Sequence, residues 1–289
     1  MVVTKIAKVG NAGNTLKKDI TRYTNTQTAV RSRDLLALID IFDKWSDQMA
    51  TQFGVFLEVQ RGAWDNQRVY QRQNPTTRQY REVALAANLL KVYGAGWLGE
   101  AGTAFGKNDP FLPSGRIYQQ IIASAEDDDS FGISDLYAAH RLWKVADDLR
   151  FGRMAMPQRR LTRYLFFMTV IELLKKILLQ MTIDPEPKQY TRSLLKLWER
   201  GNEDAANVFI SAAASVLDRY MSEGDHNSIY AEPEFQKRFS GNLNSFLKWE
   251  GLGKNDQTSP KYRMQVDIAN AALAINKQQY DLIATAVRS

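Results

Sequence analysis

From residue 79 to the C-terminus, apolar side chains recur three and four positions apart almost without interruption. That spacing confines most of the chain to helices that each bury one face. Segments 133–150, 157–181, 188–200, 203–222 and 260–287 all carry it. Tyr190, Leu194, Leu197 and Trp198 form one such stripe, and Phe209, Val216, Leu217 and Tyr220 another. Pro185 and Pro187 divide one pair of helices; Gly224 and Pro233 divide the next. Nearer the start of this region, Leu85, Leu89, Val92 and Tyr93 mark a helix, 94–115 is loose and Gly-rich, and Ile117, Ile121 and Ile122 restart a short helix. No repeat of fixed period is present.

The first 78 residues read differently. Val3, Ile6 and Val9 favour a strand, GNAGN a turn, and 15–23 a short helix. Thr24-Asn25-Thr26-Gln27-Thr28 is an uncharged polar strip. Ser32 stands where a helix N-cap belongs, and Leu35, Leu38, Ile39, Phe42, Trp45 and Met49 give 33–50 one core face. Asp40, Asp43 and Asp47 line another face, which reads as solvated. Alternation of Val55, Leu57 and Val59 predicts a strand ending at Arg61-Gly62, and the Gln-, Arg- and Asn-rich 65–78 reads as a loop. The expected fold is therefore mainly α, a multi-helix bundle with a small N-terminal β element. A motif-bearing region, 1–130, precedes a helical domain, 131–289, with a soft boundary near 125–131.

Composition narrows the chemistry. With no cysteine there are no disulfides and no thiolate ligands or nucleophiles, and His140 and His226 are the only imidazoles. The longest apolar stretch, near 164–171, is too short to span a bilayer, and the start has no signal-like core. A cytoplasmic protein with no membrane partner is expected. Phosphate-binding glycine loops, His-Glu-x-x-His and Gly-x-Ser-x-Gly are absent. Asp184, Glu186 and Lys188 mimic the letters of a magnesium nuclease site but sit between helices, beside two prolines. Glu126-Asp127-Asp128-Asp129 lacks calcium-loop spacing, and Asp225-His226 reads as a polar loop pair. No catalytic residue, metal or cofactor is assigned, and the chain reads as leaning away from an enzyme.

Charge is more informative. The net charge is +6, and two segments concentrate it. Residues 1–34 hold seven basic against two acidic side chains, and residues 141–163 the same. Two basic stretches on an otherwise balanced chain suit a polyanionic partner; the alternative is a solvated basic face.

Four short runs then combine. Asn25-Thr26-Gln27 with Arg31 and Asp34-Leu35, Gln60-Arg61-Gly62-Ala63-Trp64, Phe111-Leu112-Pro113-Ser114-Gly115, and Asp135-Leu136-Tyr137-Ala138-Ala139 occur in this order. Over roughly 1–155 the chain thereby resembles the abortive-infection phage-resistance (AIPR) family. The resemblance implies a role in bacterial or archaeal anti-phage defence. It also implies that most of an N-terminal ParB-like domain is missing, because the chain is shortened or because the system is split between two polypeptides.

A nucleic-acid-binding, non-enzymatic defence module is the leading expectation, with DNA or RNA as partner. Its candidate binding residues are Arg22, Asn25, Gln27, Arg31, Arg33, Arg61, Arg153, Arg159 and Arg160, arginines for phosphate and amides for base edges or a partner's backbone. The alternative is a helical interaction scaffold that docks neighbouring defence proteins or a second copy, with Trp143, Trp198 and Trp249 as anchors. A metal-dependent nuclease ranks third. At least one of Asn25 and Gln27 is expected to be structural, tying down the loop that enters helix 33–50. Asn25→Ala and Gln27→Ala separate the roles. A structural amide costs about 1–3 kcal/mol of stability when removed and leaves binding unchanged; a binding amide gives the reverse in paired melting and binding measurements.

Overall fold

The computed structural model describes residues 36–80, 82–99, 109–123, 131–149, 156–222 and 274–288. The expected strand at 1–9, the helix at 15–23, the polar strip and the Ser32 cap all lie outside them, as does all but the last residue of the boundary expected near 125–131. The described residues are mainly helical, with one two-stranded parallel sheet. They fall into two compact units, 1–87 and 88–289.

In the first unit, a single 3-10 turn at 36–38 precedes helix α1, Ile41–Phe53. The helix begins later than the expected 33–50 and ends three residues beyond it. Of the expected stripe, Phe42, Trp45 and Met49 are buried, with Phe42 and Trp45 edge-to-face at 5.1 Å. Leu38 and Ile39 are only partly buried because they precede the helix, and Leu35 lies outside the described residues. Leu36, not expected, is buried in their place. Asp40, Asp43 and Asp47 are exposed. Gly54 ends the helix in the left-handed region, φ 68°, and its N–H bonds back to Ala50. A side chain is strained in that conformation, so glycine here turns the chain directly into strand β1, Val55–Glu58. Val55 and Leu57 are buried and Phe56 and Glu58 are partly open, the period-two alternation of a strand.

Strand β1 pairs in parallel with β2, Glu82–Leu85, in the register Val55↔Glu82 to Glu58↔Leu85. Parallel strands require a long crossover. Here it contains helix α2, Ala63–Gln73, where a loop was expected over 65–78. The expectation failed because α2 buries no residue, so it shows no apolar stripe. Its helicity comes from polar helix formers, with Asp65 in the first turn and Arg72 in the last, each placed to offset the macrodipole. β2 was also unexpected, since Leu85 falls in phase with Leu89 and Val92 and reads as the start of the next helix.

The second unit is built of helices α3, Ala86–Gly96; α4, Arg116–Ile121; α5, Ile133–Asp148; α6, Met156–Gln180; α7, Pro187–Leu197; α8, Glu203–Ser222; and α9, Lys277–Arg288. The bounds of α5 to α8 follow the apolar periodicity to within three residues. Pro187 starts α7 at the position where a missing N–H costs nothing. Helix α8 packs on α6 and α9, α9 also packs on α7, and α7 packs on α5. Phe166, Phe167, Leu173, Leu174, Ile177 and Phe209 form the fully buried centre.

Close approach sets the position of α3. A Cβ added at Gly94 would meet the Ile117 side chain of α4 at 2.6 Å, and one at Gly96 would lie 3.3 Å from the Phe167 carbonyl of α6. Gly94→Ala is therefore expected to overpack the α3–α4 contact and cost about 1–3 kcal/mol in chemical denaturation. Adding Ile117→Val should recover part of the loss.

Candidate nucleic-acid interface

The Gln60-Arg61-Gly62-Ala63-Trp64 run makes the corner between β1 and α2. Gly62 occupies the left-handed region, φ 84°, which the tight corner requires. The Glu58 carboxylate at the end of β1 accepts hydrogen bonds from the N–H groups of Gly62 at 2.7 Å and Trp64 at 3.3 Å. A carboxylate thus fills the positive N-terminus of α2. The Trp64 ring lies 5.5 Å from Phe56, which in turn lies 5.5 Å from Tyr80. Gln71 grips the main chain of Tyr80 from both sides, donating to its carbonyl at 3.3 Å and accepting from its N–H at 2.9 Å, so the crossover is fastened before β2 begins.

This packing decides which side of α2 is open. Trp64, Gln67, Gln71 and Asn74, spaced three, four and three apart, are half-buried. Asp65, Asn66, Arg68, Val69, Tyr70, Arg72 and Gln73 are exposed. Arg61 and Arg78, at the two ends of the crossover, are exposed as well. Arg61, Arg68, Arg72 and Arg78 form no ion pair with a described residue. Asp65 is the one acidic residue between positions 61 and 80. Sequence reasoning named Arg61 and missed Arg68, Arg72 and Arg78. The available signal was the arginine and amide content of 65–78, which a loop assignment left without a face.

Of the other sequence-derived candidates, Arg22, Asn25, Gln27, Arg31, Arg33 and Arg153 lie outside the described residues. Arg159 and Arg160 fall in the first two turns of α6. Two further arginines of the second basic segment serve the protein itself. Arg163 lies 4.4 Å from the centre of the Trp143 ring and pairs with Asp147. Arg141 lies 5.8 Å from the Trp198 ring and donates to the Tyr137 hydroxyl at 3.4 Å. Trp143 and Trp198, candidate partner anchors from the sequence, are half-buried with a guanidinium over each. Trp249 lies outside the described residues.

The two downstream motif runs prove architectural. Phe111 to Gly115 form a turn that starts α4: Phe111 is buried, with Lys91 over its ring at 5.5 Å, and the Gly115 N–H donates to Leu112 at 2.7 Å. Asp135 is fully buried at the start of α5. Its carboxylate accepts from the Gly132 N–H at 2.8 Å, from Lys188 Nζ at 3.2 Å and from the Thr191 hydroxyl. Thr191 Oγ1 in turn accepts the Trp97 indole N–H at 2.9 Å. Nearby, burial and then the Asp135 charge push the Tyr93 phenol far above its usual range, so it stays neutral. Lys188 is thereby engaged, and Asp184 and Glu186 are exposed in the 183–186 connection rather than on a strand. Among the described residues, no three His, Asp or Glu side chains come together as a metal-holding set, and no helix is long and apolar enough to cross a membrane.

A family model described as "AIPR protein" matches residues 1–229. The chain belongs to the AIPR family. The match extends past the 155 residues over which the four runs carried the resemblance, through the whole of α8. No curated protein and no solved structure matches the chain. Membership in the AIPR family points to a role in abortive-infection defence against phage.

Removing Asp135 from this AIPR protein should separate buried from exposed electrostatics. Asp135→Ala leaves Thr191 and Gly132 without their acceptor and is expected to cost on the order of 3 kcal/mol. Lys188→Ala leaves the buried carboxylate its two neutral donors and lets water reach the vacated, half-exposed side, so it should cost less, about 1–2 kcal/mol. Urea denaturation of both variants checks the contrast.

Proposed function

We propose that this protein is a non-enzymatic nucleic-acid-binding module of an abortive-infection defence system. The observation that carries the reading is the crossover between β1 and β2. It holds four exposed arginines, Arg61, Arg68, Arg72 and Arg78, without an ion-pair partner among the described residues, against a single aspartate. Unpaired guanidinium groups in water attract polyanions, and their planar forks match phosphate oxygens. The surrounding amides of Asn66 and Gln73 are exposed and offer both donors and acceptors for phosphate, sugar or base edges. Arg22, Asn25, Gln27, Arg31, Arg33, Arg153, Arg159 and Arg160 belong to the same proposal through the two basic segments. The engagement of Lys188 by Asp135 supports the non-enzymatic part, because it removes the lysine that a nuclease reading would need.

Phosphate contacts release condensed counterions, so affinity should fall steeply with salt. Fluorescence anisotropy on labelled DNA and RNA, between roughly 50 and 200 mM salt, measures that slope. Arg68→Ala with Arg72→Ala should weaken binding across all sequences and flatten the log–log slope by about two. No binding to any nucleic acid at low salt overturns the proposal.

A further inference from the structure

We infer that the open side of α2 takes single-stranded nucleic acid, with a base against Trp64 and the neighbouring phosphates on Arg61, Arg68 and Arg72. The inference rests on the nucleic-acid reading above and narrows it to one class of strand.

Trp64, Arg68 and Arg72 are four residues apart, so they run along one edge of α2 over about 12 Å. Arg61 stands at the corner just before the helix. Trp64 is half-buried rather than enclosed, at the border between the packed side of α2 and the arginine edge. Val69 and Tyr70 on the outer side of the same helix are each 50% exposed. A surface built only to neutralise a phosphate backbone has no use for open apolar groups among its cations, and water disfavours them. Bases in a single strand present their ring faces, which a duplex hides within its stack. Aromatic groups interleaved with arginine are the means of holding them.

The helix N-terminus argues in the same direction. In many phosphate sites the free N–H groups at a helix start bind the anion. Here Glu58 already takes the N–H groups of Gly62 and Trp64, at 2.7 and 3.3 Å. A phosphate is thereby turned away from the helix end and toward the arginine edge, which leaves the strip between Trp64 and Arg72 as the path for a chain. Glu58 also fixes the main chain of Trp64, and the Phe56 ring packs against the indole at 5.5 Å.

The experiment compares four labelled 20-residue oligonucleotides on the whole chain at fixed low salt: single-stranded DNA, single-stranded RNA, the DNA duplex, and a DNA single strand carrying abasic sites. The expected result is tighter binding of the single strands than of the duplex, and a loss on the order of tenfold on the abasic strand. The DNA and RNA arms show which sugar is preferred. Trp64→Phe should retain most single-strand affinity, and Trp64→Ala should lose single-strand affinity by a larger factor than duplex affinity. The abasic arm needs no variant, so it decides the matter even if Trp64→Ala fails to fold. Equal affinity for duplex and single strand, or for abasic and base-bearing strands, overturns this inference and leaves nucleic-acid binding intact. Failure of all four oligonucleotides to bind overturns both.

Discussion

A carboxylate removed from water must be surrounded by donors or it destabilises whatever holds it. Asp135 meets that condition with groups drawn from far apart in sequence: the Gly132 main chain, and Lys188 and Thr191 of α7, with Trp97 bonded to Thr191 behind them. Each donor has one position that satisfies it, so the start of α5, the first turns of α7 and the end of α3 are placed relative to one another. Apolar packing alone tolerates sliding of one helix over another; a buried network of directional bonds does not. The Tyr93, Trp97 and Phe131 rings pack 4.7 to 5.1 Å apart nearby, and the full burial of Asp135 gives the bonds their weight. The motif that begins at Asp135 is thus explained by what the fold requires of that position.

The first unit reaches order by a related device on a smaller scale. Two parallel strands of four residues cannot stand alone in water. One face of β1 is occupied by Val55 and Leu57, which are buried, while α1 supplies Phe42, Trp45 and Met49 to the same unit's core. On the other face Phe56 meets Trp64, and Glu58 holds the start of α2. The crossover helix is therefore attached through its first turn and through Gln71 rather than through an apolar stripe. That mode of attachment is what leaves its outer surface free to be cationic.

Legibility in the sequence followed burial. Helices α5 to α8 each carry apolar side chains on a helical period, and the expected segments matched them closely, as did the mainly α class with its small β element. Helix α2 was invisible for the opposite reason: with no buried residue, nothing in its periodicity distinguishes it from a loop, and only the charge order from Asp65 to Arg72 speaks for a helix. Strand β2 was absorbed into α3 because four residues are too few to establish a period of two against a helical pattern that continues from Leu85. For the interface, Arg61 was recognised through its motif, while Arg68 and Arg72 had no face until the segment had a secondary structure. The stacking of Arg141 on Trp198 joins residues 57 positions apart, which no local spacing encodes.

Arginine consequently does two different things in this chain, and net charge does not tell them apart. Arg141 and Arg163 lie over tryptophan rings, and Arg163 is further paired with Asp147, so their charge is shielded and their apolar faces extend the core. Among the described residues nothing of the kind holds Arg61, Arg68, Arg72 and Arg78, which are exposed to solvent. A polyanion approaching from beyond a Debye length feels the unshielded set first. Counting basic residues along the sequence ranked the 141–163 segment equal to the N-terminal one and passed over 61–78. Counting unpaired ones moves the described part of the attractive surface to the β1–β2 crossover, where a rigid corner fixed by Glu58 presents arginine and tryptophan together.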